Sequence, residues 1–485
     1  MTPQRGRRAE FKAEPTGYSE YQFIFEGAVG SAGVLRYRGP LGGDWQLVSL
    51  VVDDSAFWLR AIPHVPSVVA DLVDLTAAIY AADRLSPQRL EHSVRRIYLT
   101  VPLREPEAIS AAALAQLREL LAWTTASEWE IHLVQHSAAR RPVELESLLL
   151  PLAPDDAEVV LWSGGLDALA GVYSRLRSEP GLPIILLGSG GNDRVLGKQQ
   201  HLLKHLERIF PGRLYSHRIP LRLRGIHGLP QDRLMRGRGV VFTLLGLMSS
   251  YMLRRYHLSV HENGIGAINL PFRESSVGLD HVRSVHPFTL ERVSAFVSTV
   301  LGEAFRVDNP SLLTTKAQML LPMAEDGRAG LVANTESCDS YQRKRPGQCG
   351  YCSSCLLRRQ AVLASGLKDY TKYVIPDGDP PKRDPSTPIR AMLNQVEVFR
   401  SAFGGATPSA DSWEKLTRFY PALDDIVDRS ASYRGLTAGG MRQRIIEMYL
   451  SYVREWDLTR DQLVKGVLDW QPPAGETRSM APVQV

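Results

Sequence analysis

Cysteine is scarce in this chain of 485 residues. There are four, Cys338, Cys349, Cys352 and Cys355, and all fall within one window of eighteen positions. A disulfide framework spread through the core is thereby excluded, and the clustering points to one shared ligand. Long apolar runs are also missing. The most apolar stretch, VVFTLLGLMSSYML from Val240 to Leu253, is too short to span a bilayer and reads as a buried helix. The N-terminal MTPQRGRRAEFKAEPTGYSEYQ has basic residues but lacks the apolar region of a secretory signal. The expected location is therefore cytoplasmic, where thiols stay reduced. Neither charge sign dominates: 57 Lys and Arg face 52 Asp and Glu, for a net charge of +5. That balance permits an anionic partner without demanding one. Internal repeats are absent, and so is any Ser/His/Asp set that can be read from the sequence. A Walker loop is missing too. Gly197-Lys198 is followed by Gln199 and no glycine opens the motif, while Gly264-Ile265-Gly266 falls short of a dinucleotide fingerprint.

What is present is an ordinary globular composition, 44% hydrophobic, in a chain long enough for several domains. The segments YQFIFEG, WQLVSLVV, RRIYLTV and WEIHLVQ read as strands. Val69, Leu72, Val73, Thr76, Ile79 and Tyr80 share a helical face, and SAAALAQLRELLAW reads as a second helix. Residues 1–144 are thus expected to form an N-terminal α+β domain. From residue 145 to 373 short apolar runs such as EVVLW and PIILLG alternate with helical patterns, which suggests βαβ units around a parallel sheet. Residues 374–388, VIPDGDPPKRDPSTP, are proline-rich and read as a linker. Residues 389–470 read as a helical domain, and residues 471–485 as a disordered tail.

The stretch Ser163-Gly164-Gly165-Leu166-Asp167 ends one strand-like run and opens a helix-like one. Two glycines let backbone N–H groups converge on an anion, and the helix adds its positive end. At an exposed site that dipole contributes only about 0.3–1 kcal/mol, so converging N–H bonds and a cation must supply the rest. Asp167 has the wrong sign to touch a phosphate. It fits either with Mg2+ between the two, or as a cap on its own helix.

The cysteines follow the pattern C-x10-C-x2-C-x2-C. Four thiolates fill the tetrahedral sphere of Zn2+ and leave no open position, so the spacing favours a structural zinc site. An iron–sulfur cluster uses similar spacing and stays open as an alternative. Arg343, Lys344, Arg345, Arg358 and Arg359 are placed to offset the negative charge of such a centre.

The glycine loop and the cysteine cluster together resemble the 7-cyano-7-deazaguanine synthase (QueC) family of N-type ATP pyrophosphatases. Ser163 to Asp167 match the family's SGGxD loop. Cys338, then Cys349-Gly350-Tyr351-Cys352-Ser353-Ser354-Cys355 and Arg358, match its zinc motif, while Gly237-Arg238 and Lys316 match more loosely. The resemblance covers roughly residues 145–373. It implies a HUP-like α/β fold with a Zn(Cys)4 subdomain. It also implies ATP bound by Ser163, Gly164, Gly165, Leu166 and Asp167 with Mg2+, and cleaved to AMP and pyrophosphate. Asp167, Arg238 and Lys316 are the expected catalytic residues. A deazaguanine carboxylate is the expected substrate, activated as its acyl-adenylate. Glu262 and Asn263, after the strand-like LSV, are expected to contact its guanine-like edge.

Three departures stand out. The loop's closing serine is Ala168, the family's Y-P-D-C-R stretch is reduced to NLPFRE, and long segments flank the matching region on both sides. Long chains of this kind resemble the QueC-like proteins of bacterial anti-phage systems, QatC and its counterpart in type IV CBASS. That resemblance implies amide formation with the N-terminus of a partner protein from the same operon. A homo-oligomer is compatible with this reading; no membrane is involved and nucleic acid is not required. Three alternatives are a stand-alone nitrile-forming synthase, a tRNA-thiolating enzyme and a zinc-containing nucleic-acid-binding module. Free reactive cysteines would mark the second, and affinity falling steeply with salt the third.

Overall fold

The computed structural model describes residues 18–468 except 30–31, 41, 59–61, 63, 89–93, 136–143, 145–155, 191–192, 233–234, 273–281, 340–346, 376–383, 405–410 and 466. The chain begins with three strands, β1 (Tyr18–Val29), β2 (Ala32–Arg38) and β3 (Gln46–Val52). Helix α1 (Ser67–Leu85), β4 (Val94–Leu103), α2 (Ala111–Thr125) and β5 (Ser127–Gln135) follow. The central region alternates β6 (Glu158–Leu161), α3 (Leu166–Ser178), β7 (Ile184–Gly190), α4 (Asp193–Ile209), β8 (Leu214–Arg224), α5 (Arg238–Met252) and β9 (His257–Ser259). It continues with α6 (Gly264–Ile268), α7 (Pro287–Leu301), β10 (Arg306–Asp308), α8 (Lys316–Glu325), α9 (Ala329–Ala333) and α10 (Ser353–Ala364). Among the described residues four helices follow: α11 (Ser386–Phe403), α12 (Ser412–Phe419), α13 (Ala422–Tyr433) and α14 (Ala438–Val464).

The protein is α/β, with one large, mostly parallel sheet in the order β10-β9-β6-β7-β8-β3-β2-β1-β4-β5. Strands β6 to β10 are parallel to one another. All seven residues of β7 are buried, which explains its unbroken apolar run: helices cover both faces. β2 alternates exposed and buried residues with arginines on its outer side, a pattern too polar to announce itself among its apolar neighbours. The antiparallel pairing of β3 with β8, in which Ser49 faces Arg224 and Val52 faces Leu221, joins the N-terminal strands to the central ones. The two segments also share a core. Leu72, Val73 and Ile79 of α1 belong to the same buried cluster as Val241, Leu245 and Met248 of α5. The apolar stretch at 240–253 is thus a helix buried inside the protein, and among the described residues no helix is long and apolar enough to cross a membrane.

Burial of α1 on nearly all sides brings three carboxylates inside, and each is matched by an arginine. Arg104 meets Asp71, Asp74 and Glu144 at 3.0, 2.9 and 3.0 Å. Arg95, 1% exposed, meets Asp83 at 3.0 Å and Asp232 at 3.2 Å. Removing one partner of such a pair leaves an uncompensated buried charge, at a cost of about 3–5 kcal/mol.

The C-terminal helices pack on the central region rather than apart from it. Ile445, Tyr449, Tyr452 and Trp456 of α14 share a cluster with Ile265, Leu312 and Leu356. α11 starts at Ser386, inside the stretch that composition marks as a linker; most of that stretch, and the expected tail, lie outside the described residues.

Candidate functional site

β6 is followed in sequence by β7 on one side of it in the sheet, while β9 lies on its other side. The loops that leave the carboxyl ends of β6 and β9 therefore meet at a switch in strand order. Such topological switch points are where open α/β sheets bind ligands. The β6 loop is Trp162 to Gly165; the β9 loop is Val260 to Asn263.

The glycine loop is built for bare backbone. Gly164 has φ +73°, a left-handed conformation that favours glycine, and a Cβ there would lie 3.1 Å from Cγ of Gln199. The Gly165 N–H donates to Ser163 Oγ at 3.1 Å. Gly165 is also the N-cap of α3 and supplies no side-chain cap. The first N–H groups of that helix thus have no side chain in front of them, as an anion site at a helix start requires. Ala168, where the loop's closing serine is missing, packs into the apolar cluster with Leu169 and Val172.

Asp167 does not cap its own helix. Its Oδ1 accepts from the Asn263 side-chain amide at 2.9 Å and from the Asn263 backbone N–H at 3.3 Å, and its Oδ2 pairs with the Lys316 ammonium. Both ends of this ion pair are nearly buried, with 7% and 11% of their side chains exposed. Lys316 opens α8, whose N-cap Thr315 and third residue Gln318 form a reciprocal capping box. Asn263 caps α6 through Gly266 N–H at 3.0 Å and also donates to Glu262 Oε1 at 2.8 Å. The structure therefore brings Asp167, Glu262, Asn263 and Lys316 together at the switch point, beside Ser163, Gly164, Gly165 and Leu166.

Burial, and next the charge of Asp167, push the Glu262 carboxyl up to about 8. Its folded value lies above the unfolded one of 4.5, so between those values the native state holds a proton that the unfolded state has lost. Stability contributed by this group is full below about pH 4.5 and falls as pH rises toward about 8. We expect Glu262→Gln to flatten the decline of melting temperature over that window, read by thermal unfolding at a series of pH values. Its neighbour His261 is pushed down to about 4, mainly by burial, and packs on Gly171, where a Cβ would lie 2.1 Å from its ring.

Three residues beside the loop escape a motif reading. Gln199, part of the failed Walker match, donates to the carbonyls of Ser163 and Ser189 at 3.4 and 3.5 Å and so braces the loop. Arg194 meets Glu336 at 2.8 Å, and Lys198 pairs with the same carboxylate, whose backbone carbonyl approaches Gly165. Only the helical spacing of 194 and 198 hints at this.

The arginines of the 213–238 stretch separate by role. Arg213 donates to the carbonyls of Leu176, Leu182 and Glu179 near the start of β8, far along the strand from the loop, and is structural. Arg222 pairs with Asp193 at 2.6 Å. Arg238 sits in the first turn of α5, exposed, with its guanidinium 5.9 Å from the Phe242 ring centre. Among the described residues it makes no hydrogen bond to the Asp167 cluster. Its helix start is held by Asp83 of α1, which accepts from Gly237 N–H at 3.0 Å.

The four cysteine sulfurs lie within 4.8 Å of one another. Zinc–thiolate bonds of about 2.3 Å in a tetrahedron put sulfurs about 3.8 Å apart, so this cluster fits a metal of that size. Cys349 Sγ accepts from Cys352 N–H at 3.2 Å and from Tyr351 N–H at 3.5 Å, contacts that stabilise a thiolate. Gly350, at φ +83°, has no alternative, since a Cβ would lie 2.1 Å from the Ile375 carbonyl oxygen. Arg358, fully buried, donates to Thr335, Ser337, Val332 and Thr371, and Arg359 to the Gly350 carbonyl at 2.8 Å. Arg358 thus braces the turn around the cluster, while Arg343, Lys344 and Arg345 lie outside the described residues.

An α/β protein with a mostly parallel sheet, a glycine loop at its switch point and four cysteines placed to hold a metal is the class that these observations define. No family model matches the chain. Over 90 residues it is 37% identical to a 7-cyano-7-deazaguanine synthase of Methylobacillus flagellatus, a stretch that makes up 18% of this chain and 38% of that protein. The chain therefore spans little more than a third of the relative it matches.

Proposed function

We propose that the chain is a QueC-like, HUP-type ATP pyrophosphatase that adenylates a 7-deazaguanine carboxylate and transfers the acyl group to an amine. The observation that carries this reading is the meeting of Asp167 and Lys316 beside an uncapped glycine turn at the switch point of the sheet. The carboxylate oxygen attacks the α-phosphate of ATP and pyrophosphate leaves. The amine nitrogen then attacks the acyl carbon, AMP leaves with the carboxylate oxygen, and the nitrogen gives up a proton. Ser163, Gly164, Gly165 and Leu166 offer backbone N–H groups to the phosphates, and Lys316 and Arg238 offset charge on the leaving pyrophosphate. Asp167 is the residue suited to hold Mg2+, which neutralises phosphate charge when bound. Glu262 and Asn263 face the guanine-like edge. N–H donors there favour the ionised form of Glu262 and draw its pKa back down. The four cysteines hold Zn2+, a closed structural site.

The long outer segments and the NLPFRE departure favour a polypeptide amine, the N-terminus of a partner protein in an anti-phage operon, over ammonia. The activity of the similar protein favours a second reading, in which ammonia is the amine and the amide is activated again and dehydrated to a nitrile. The two readings differ in stoichiometry: one ATP per amide, two per nitrile. We expect ATP, Mg2+, 7-carboxy-7-deazaguanine and lysate of the native operon to yield AMP and a mass increase on one neighbouring gene product. Free nitrile at two AMP per molecule, with no protein labelled, would establish the second reading. No AMP under either condition would remove both.

A further inference from the structure

We infer that Glu455, on the C-terminal helix α14, is a positioning residue for Lys316, holding the first turn of α8 so that the ammonium meets Asp167. The inference rests on the reading of Asp167 and Lys316 as the reacting centre. Thr315 is the joint. Its Oγ1 accepts from Gln318 N–H at 3.1 Å and donates its own proton to Glu455 Oε1. An acceptor on that proton fixes the direction of the hydroxyl and leaves its lone pair aimed at Gln318, so the cap has one orientation. The residue after this cap is Lys316. The other oxygen of Glu455 accepts from Gln360 Nε2 at 3.0 Å, and Gln360 lies on α10, the helix that also carries Cys355. The four-cysteine centre and the Lys316 turn are thus bridged by one carboxylate from a segment outside the family-like region.

Two observations set Glu455 apart from a packing residue. It is buried, with 9% of its surface exposed, yet among the described residues it forms no ion pair. A carboxyl in that environment costs stability that a leucine would not, so two hydrogen bonds are the return. In addition, α14 supports the other side of Asp167. A Cβ on Gly264 would lie 2.1 Å from Met448 Sδ, so the helix is seated against the start of α6, whose cap Asn263 holds Asp167 Oδ1. One helix therefore backs both groups that orient Asp167.

The test uses the full metal-loaded chain and the variants Glu455→Leu, Glu455→Gln and Thr315→Val. Each is checked for melting temperature and metal content, then pulsed with an amine-selective reagent, and Lys316 labelling is read by peptide mass against the exposed Lys204. We expect Lys316 in Glu455→Leu and Thr315→Val to label about tenfold faster than in the parent. With ATP and 7-carboxy-7-deazaguanine, kcat for pyrophosphate release should fall about tenfold or more while KM for ATP moves less than about threefold, as misplacement of a reacting group predicts. Glu455→Gln should stay within about threefold of the parent in both readouts. Its amide oxygen still accepts from Thr315, and Gln360 Oε1, buried without a partner, can turn to accept the new N–H. Folded Glu455→Leu and Thr315→Val chains with parental Lys316 protection would overturn the inference. If Glu455→Leu does not fold, Thr315→Val and Glu455→Gln decide it. A parent chain that releases no pyrophosphate would remove the proposed activity instead, and the labelling arm alone would then decide the positioning role.

Discussion

Replacing Asp167 with Asn is expected to lower kcat/KM for ATP-dependent AMP formation about 10^3-fold or more, roughly 4 kcal/mol of transition-state stabilisation, with the fold intact. The asparagine preserves shape and can still accept from Asn263, so the change removes charge alone. That charge carries two duties in the proposed reaction, holding Mg2+ and fixing Lys316. Asp167→Ala makes the same point less cleanly, because it also strips the acceptor from the Asn263 side-chain amide and backbone N–H. Lys316→Met is expected to cost a similar factor. Since the two side chains act as a unit, the double variant should be little worse than either single one. Activity near the parental level in Asp167→Asn, measured by AMP release under saturating ATP, would remove the Asp167–Lys316 pair from the mechanism.

The second large effect belongs to the cysteines. Structural zinc contributes an apparent ~10–16 kcal/mol in small peptides, so Cys355→Ser is expected to lose the metal and on the order of 5 kcal/mol or more of stability. Cys355 is fully buried at the start of α10, where the loss is least relieved by solvent. Metal analysis should give about one zinc per parent chain, a fourfold-thiolate complement. Chelator treatment should lower the melting temperature of the parent and leave that of the variant unchanged. Visible absorption that bleaches on reduction would assign an iron–sulfur cluster instead. A variant of parental stability without metal would make the cysteines redox groups. Loss of metal should also loosen Lys316, because Cys355 and Gln360 share one helix and Gln360 holds Glu455.

Local chemistry made parts of this site legible in advance. The two glycines of the loop and the spacing of the four cysteines need no tertiary context, because a left-handed turn and a tetrahedral metal each impose a short pattern. The N-terminal strands also read correctly where β-branched and aromatic residues alternate. What escaped were contacts between segments far apart in sequence. Nothing near Asp167 announces that it pairs with Lys316, 149 positions later, or that both groups depend on α14. Gln199 read as part of a failed motif and turned out to brace the loop. Arg213 is spent on three backbone carbonyls, a role that no local pattern announces. The outer segments read as added domains, whereas β3 continues the central sheet and Asp83 and Glu455 each hold the start of a helix that carries a candidate cation. Residues with such roles carry no sequence pattern, because the geometry that gives them meaning is set only by the sheet order.

The most direct test is the fate of one oxygen atom. The chain is supplied with ATP, Mg2+, the native amine acceptor and 7-carboxy-7-deazaguanine labelled with oxygen-18 in its carboxylate, and the AMP is analysed by mass. An acyl-adenylate requires that one labelled oxygen pass to the phosphate of AMP with each amide formed. Unlabelled AMP, or ADP in place of AMP, would contradict the account.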